Sequence, residues 1–209
     1  MNKGNIIKTV LGLALIVGGS GYIYAHYTKD DRVKEQSQKL VKETTVEDIK
    51  KNKEKEATYN FEDVKPADTV NSIQAEVSTD DAVVGRIQVP SVKLDLPIIK
   101  GVSDSGMYKG AGTMKKGQEM GKGNYALSSH HMKDPTLLFS PLDNVEKGQE
   151  IKVSDDTGTY TYKIVEKRVI SAKDVYVIDD VQGHTLITLI TCHAGGEDRL
   201  LVQGELVKQ

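Results

Sequence analysis

Residues 188–202 read TLITCHAGGEDRLLV, and they hold the only cysteine of the 209-residue chain. The run HTLITLITC, from His184 to Cys192, is rich in β-branched residues and reads as a strand. Side chains alternate along a strand, so Leu186, Thr188, Ile190 and Cys192 share one face. The residues HAGGED follow, with Gly195 and Gly196 suited to a hairpin loop, before RLLVQGELV resumes the apolar pattern. If the two runs pair antiparallel, Cys192 and Arg199 lie opposite each other at the mouth of the hairpin. Directly opposed residues point to the same face with β-carbons roughly 5 Å apart. A guanidinium so placed favours a thiolate and can donate to an oxyanion.

The same texture extends back to Ala82. AVVGRIQVP, LDLPIIKG, NYALSS, EIKVS and TYTYKIVEKRVISA are short runs rich in Val, Ile, Leu, Tyr and Thr, punctuated by Gly, Pro, Asp and Asn. Repeated short strands with turn signals predict an all-β barrel or sandwich. SDDTG (154–158) reads as the turn of a hairpin, and DPTLLFSPL (134–142) is the one stretch that suggests a short helical turn. A single cysteine excludes an internal disulfide framework and a multi-cysteine zinc site. Cys192 is then either a buried filler or a reactive thiol. A formal net charge of -2 gives no electrostatic footprint for nucleic acid.

The first eighty residues are of different material. Thr9 to Ala25, TVLGLALIVGGSGYIYA, carries no charge. At about 1.5 Å per residue it is a borderline bilayer span, lengthened by Ile6 and Ile7. Tyr22, Tyr24 and Tyr27 suit an interfacial belt, and Ile23-Tyr24-Ala25 is a poor cleavage site for a secretory signal. The expectation is an uncleaved anchor over residues 1–27. Residues 28–80 are heavily charged. Val33, Leu40, Val41, Val46 and Ile49 make too thin an apolar stripe for a core, which predicts a solvated helix or disordered spacer.

A thiol nucleophile needs a proton acceptor. His26 lies beside the uncharged stretch, His184 begins the strand, and His193 should face away from Cys192. His130 and His131, ending the run NYALSSHHM, remain as candidates, and spacing does not choose between them.

TLITC followed by an arginine resembles the signature of the sortase family, a TLxTC strand with a downstream catalytic arginine. VVGRIQVPSVKLDLPIIKG resembles the first strands of the sortase barrel. GAGTM and NYALSSHHMKDPTLLFSPLDNVEKGQEIKV resemble the segment that carries the catalytic histidine. The likeness covers residues 82–209. It implies an eight-stranded β-barrel with short helices over residues 81–209, and a cysteine transpeptidase with a peptidase half-reaction. By position His130 matches the catalytic histidine, beside Cys192 and Arg199. The implied reaction cleaves LPXTG-type sorting signals between Thr and Gly. The acyl group then passes to the amine of a cell-wall precursor of the lipid II type. The implied location is the membrane of a Gram-positive cell, amino terminus inside and barrel outside.

AKDVYVID (172–179) resembles the loop lining the sorting-signal groove of class A enzymes. Val175, Val177 and Ile178 are expected to meet the Leu and Pro of the signal, with Ser128 and Thr191 as further groove neighbours. The short loop before TLITC is unlike class B, and the spacer lacks the Asp-aromatic lid of the pilin-polymerising class C. Some class A enzymes bind calcium beside the catalytic histidine. Here GTMKKGQEMGKGNY offers Glu119 among Lys115, Lys116 and Lys122, too few oxygen ligands for that ion. No cofactor and no calcium dependence are expected. A pilin-polymerising sortase using a protein lysine is the nearer rival. A membrane-tethered metal-binding or adhesive module with His130, His131, Cys192 and His193 as ligands is the distant one. That module leaves TLITC and Arg199 unexplained.

Overall fold

The computed structural model describes residues 3–60, 82–193 and 198–207; within these, the side chains of 3–17, 22 and 25–27 lie outside the description. The strands are β1 (Val83–Val89), β2 (Leu94–Ile99), β3 (Ala111–Thr113), β4 (Asn124–Ser128), β5 (Glu150–Ser154), β6 (Thr159–Ser171), β7 (Leu186–His193) and β8 (Asp198–Leu206). They close into a barrel in the order β1-β2-β3-β4-β7-β8-β6-β5. Each run anticipated from alternation and turn residues is a strand. AKDVYVID, read as a loop, contains a 3₁₀ turn over Val175–Ile178. β3, only three residues long, bridges β2 and β4 and is too short to show a period.

Most pairs are antiparallel, while β2–β3 and β4–β7 are parallel. Burial follows the alternation. Tyr125 and Leu127 of β4, Ile187 and Leu189 of β7, and Leu200 and Val202 of β8 face the main core. The opposite face carries a smaller cluster of Ile170, Val177, Ile190 and Leu201. The 154–158 turn joins β5 to β6 as expected, with Asp155 N–H donating to Gly158 O at 3.0 Å. The short helical turn lies at Ser140–Asn144, a few residues later than the sequence suggested, where the N–H that Pro141 lacks would have no partner in the first turn.

The first part of the charged segment is helical, one of the two forms expected, and it lies against the barrel. Helix α1 (Lys3–Glu43) packs along β2, and α2 (Val46–Lys53) packs on β1. Val33 is buried in the main core, and it shares a cleft with Leu94, Leu96, Leu137 and Leu138. Asn52 is buried as well, and its amide donates to Val83 O at 3.0 Å. A capping box at Thr45 and Asp48 starts α2. Val102 N–H then donates to Thr58 O at 2.9 Å, so the chain to residue 60 is strapped to the barrel. The part of the expected spacer over 61–80 lies outside the described residues. Among the described residues no helix is long and apolar enough to cross a membrane. Most of the uncharged stretch 9–25 lies where side chains are not described.

Candidate active site

The β7–β8 register sets Cys192 opposite Arg199. The parallel β4–β7 register ends with Ser128 opposite Ile190. Two bonds continue it by one step: Ser129 N–H donates to Ile190 O at 3.3 Å, and the Thr191 hydroxyl donates to Ser129 O at 2.9 Å. The next residues along the two chains are His130 and Cys192. Adjacent strands lie about 4.8 Å apart, so the backbones of these two residues stand at neighbouring strand ends. Ser128, Ile190, Cys192, Arg199 and Leu201 share the outer face, away from the main core. Cys192 and Arg199 thus share one end of one face, and His130 follows the paired end of the neighbouring strand.

His130 is 3 % exposed. Its ring packs against Tyr108, centroids 4.5 Å apart and tilted by 49°. Its carbonyl accepts from Phe139 N–H at 3.1 Å. Ser129 fixes the preceding residue by donating to Gly110 O at 2.7 Å. Nε2 is buried with no hydrogen-bond partner among the described residues. Burial, with a smaller contribution from the Lys29 charge, pulls the imidazole down to about 4. At neutral pH it is an uncharged base. His131 is engaged elsewhere, Nε2 lying 2.8 Å from Asp143 Oδ2. His184 pairs with Glu205, and His193 faces away from Cys192. Cys192 is half-buried and unbridged, as a reactive thiol requires. Arg199 Nη1 donates to Asp198 O at 3.0 Å. The 194–197 loop between them lies outside the described residues.

The expected groove residues fall in different places. Ser128 sits on the Cys192 face. Val177 is buried against Ile170, Ile190 and Leu201, with Ile178 packed beside it. Val175 is 73 % exposed at the rim. Thr191 lies on the opposite side of β7 from Cys192 by strand alternation, and its hydroxyl ties β7 to the chain after β4. Tyr108, Ser129 and Asn124 went unnoticed in the sequence. Each is a polar or aromatic residue at the edge of an element, where no period marks it. The Gly-Asn step before YALS was the available signal for Asn124. No group of three or more His, Cys, Asp or Glu among the described residues is placed to hold a metal.

A half-buried thiol paired across strands with a guanidinium, and an uncharged imidazole just past the end of the neighbouring strand, are residue types that nucleophilic acyl transfer uses. The Sortase domain family model matches residues 87–207. The chain is 38 % identical to Sortase A of Listeria monocytogenes over 207 residues, 97 % of this chain and 93 % of that protein. It is 33 % identical to Sortase A of Bacillus anthracis over 99 % of this chain and 97 % of that one. The crystal structure of Listeria monocytogenes sortase A superposes with a TM-score of 0.58 at 43 % identity, over 61 % of this chain and 89 % of that one. The chain belongs to the sortase family, in its class A branch.

Proposed function

We propose that the protein is a class A sortase that cleaves LPXTG-type sorting signals between Thr and Gly and joins the acyl fragment to a cell-wall amine. What supports the residue assignment is the pairing of Cys192 with Arg199 and the position of His130 one residue past the Ser129–Thr191 bond that ties β4 to β7. Cys192 attacks the Thr carbonyl carbon. The C–N bond to Gly breaks, the thiol proton passes through His130 to the leaving amine, and a thioester remains. An incoming amine attacks the thioester, gives its proton to His130, and the thiolate recovers that proton as it leaves. Arg199, opposite the thiol, donates to the oxyanion or the signal backbone. An uncharged resting imidazole supports this order of events, since it can accept the thiol proton.

The acceptor is a lipid II type precursor, and residues 9–25 anchor the enzyme with its amino terminus inside and the barrel outside. The calcium-independent reading gains a physical basis. Lys115 Nζ donates to Asp180 Oδ1 at 2.6 Å, joining the β3–β4 and β6–β7 loops by a direct ion pair. The test is turnover of a fluorogenic LPXTG peptide by the full chain in detergent, with and without a glycine-type amine. Mass spectrometry should trap an acyl adduct on Cys192. Absence of both turnover and adduct defeats the proposal.

A further inference from the structure

Asn124 opens β4 and is 1 % exposed, yet it lies at the far end of the strand from Cys192 and has no part in the chemistry above. Both ends of its side chain are engaged. Oδ1 accepts from the Thr188 hydroxyl at 2.8 Å, while Nδ2 donates to Val177 O and Asp179 O, each at 3.0 Å. Its backbone N–H donates to Asp180 Oδ1 at 2.9 Å. Gln203 Nε2 donates to the Thr188 hydroxyl at 3.0 Å. A hydroxyl has one proton to give. Because Gln203 occupies Thr188 as a donor, Thr188 turns its own proton to Asn124 Oδ1. The amide is thereby held one way round, NH₂ toward the two loop carbonyls. A directed chain runs from β8 through β7 and β4 to the Val175–Ile178 turn.

Gly123 completes the device. Its φ is +53°, and a Cβ there would stand 2.7 Å from the Asp180 carboxylate. Only glycine lets that carboxylate reach the Asn124 N–H. The turn itself has few other ties to the sheet. Val177 packs into the outer cluster, whereas Val175 and Tyr176 are exposed.

We infer that Asn124, oriented by Thr188 and Gln203, is a positioning residue for substrate selection. It fixes the height of the 175–180 turn above the outer face, and so the width of the channel for the apolar half of the sorting signal. This rests on the reading that the outer face is the signal-binding groove.

The experiment compares the full-length wild type with Asn124→Asp and Thr188→Val in detergent. Readouts are KM and kcat for an LPXTG peptide, the same for a peptide with Ala in place of the signal Leu, the alkylation rate of Cys192 by iodoacetamide, and thermal unfolding. An aspartate only accepts, so it opposes the carbonyls of Val177 and Asp179. Asn124→Asp should raise KM roughly tenfold for the Leu peptide, the scale of one or two net hydrogen bonds. It should compress Leu-over-Ala discrimination and leave kcat and alkylation within about twofold. Thr188→Val, near-isosteric, should move KM the same way by about threefold, and it decides the question should Asn124→Asp not fold. Unchanged KM and discrimination in folded variants, or a fall confined to kcat, overturns the inference. Failure of the wild type itself to process any LPXTG peptide instead overturns the functional reading beneath it.

Discussion

His130 is the residue whose energetics the fold controls most directly. Its ordinary value of 6.5 falls to about 4 because the ring is buried, with Lys29 adding repulsion. Between those values the unfolded chain binds a proton that the folded chain refuses. The stability contributed by the neutral ring is therefore complete above about pH 6.5 and drains as pH falls toward 4. The loss amounts to up to about 3 kcal/mol, an order-of-magnitude figure for a shift of this size. Thermal unfolding of the wild type should weaken through that window, and His130→Gln should remove most of that slope. An equal slope in both proteins would contradict the burial argument. NMR titration of the His130 ring carbons should show no protonation down to pH 5. At the same scale, Cys192→Ala should abolish turnover and leave the unfolding temperature within a few degrees, since Cys192 is only half-buried.

Among elements, α1 carries the least expected property. A 41-residue helix whose second half is rich in charge lies on β2, and among its described side chains Val33 is the hydrophobic one buried in the main core. One contact of this kind is testable. Val33→Asp places an unpaired carboxylate where 4 % of the side chain is exposed, and it should release α1 from the barrel. Hydrogen exchange in β2 and α1 should rise, and stability should fall by about 1–3 kcal/mol. If exchange in α1 is unchanged, the helix is not held by this residue. The β3–β4 and β6–β7 loops show a second fastening, Lys115 to Asp180, which holds that carboxyl below its usual range. Activity should accordingly be the same with chelator or with added calcium, whereas a strong calcium stimulation would refute the ion pair as the tie between these loops.

Across the whole molecule, legibility tracked repetition. β7 and β8 repeat every second residue, so the sequence alone placed Cys192 opposite Arg199, and the register agrees. His130 was reachable because NYALSS ends beside it, but the choice over His131 needed a family motif; the structure separates the two by burial and by the Asp143 contact. Single anchoring residues, Val33 on α1 and Asn124 under the loop, belong to no repeat and stayed hidden. The same helix sets a geometric constraint on where the enzyme works. α1 runs unbroken from Lys3 to Glu43, and its docked part brings the charge of Lys29 to bear on His130. If residues 9–25 cross the bilayer, the eight steps from Ala25 to Val33 amount to about 12 Å of helix. The catalytic end of the barrel would then stand close to the membrane surface, where a lipid-linked amine is presented. The full chain should resist alkaline extraction from membranes, and a chain starting at residue 28 should not. Inserting a ten-residue Gly-Ser segment after Tyr27 should leave hydrolysis of a soluble LPXTG peptide unchanged. It should lower transfer to an amine displayed on vesicles several-fold, because a flexible tether dilutes the mouth away from the surface. Equal transfer by both chains would show that α1 anchors the enzyme without aiming it.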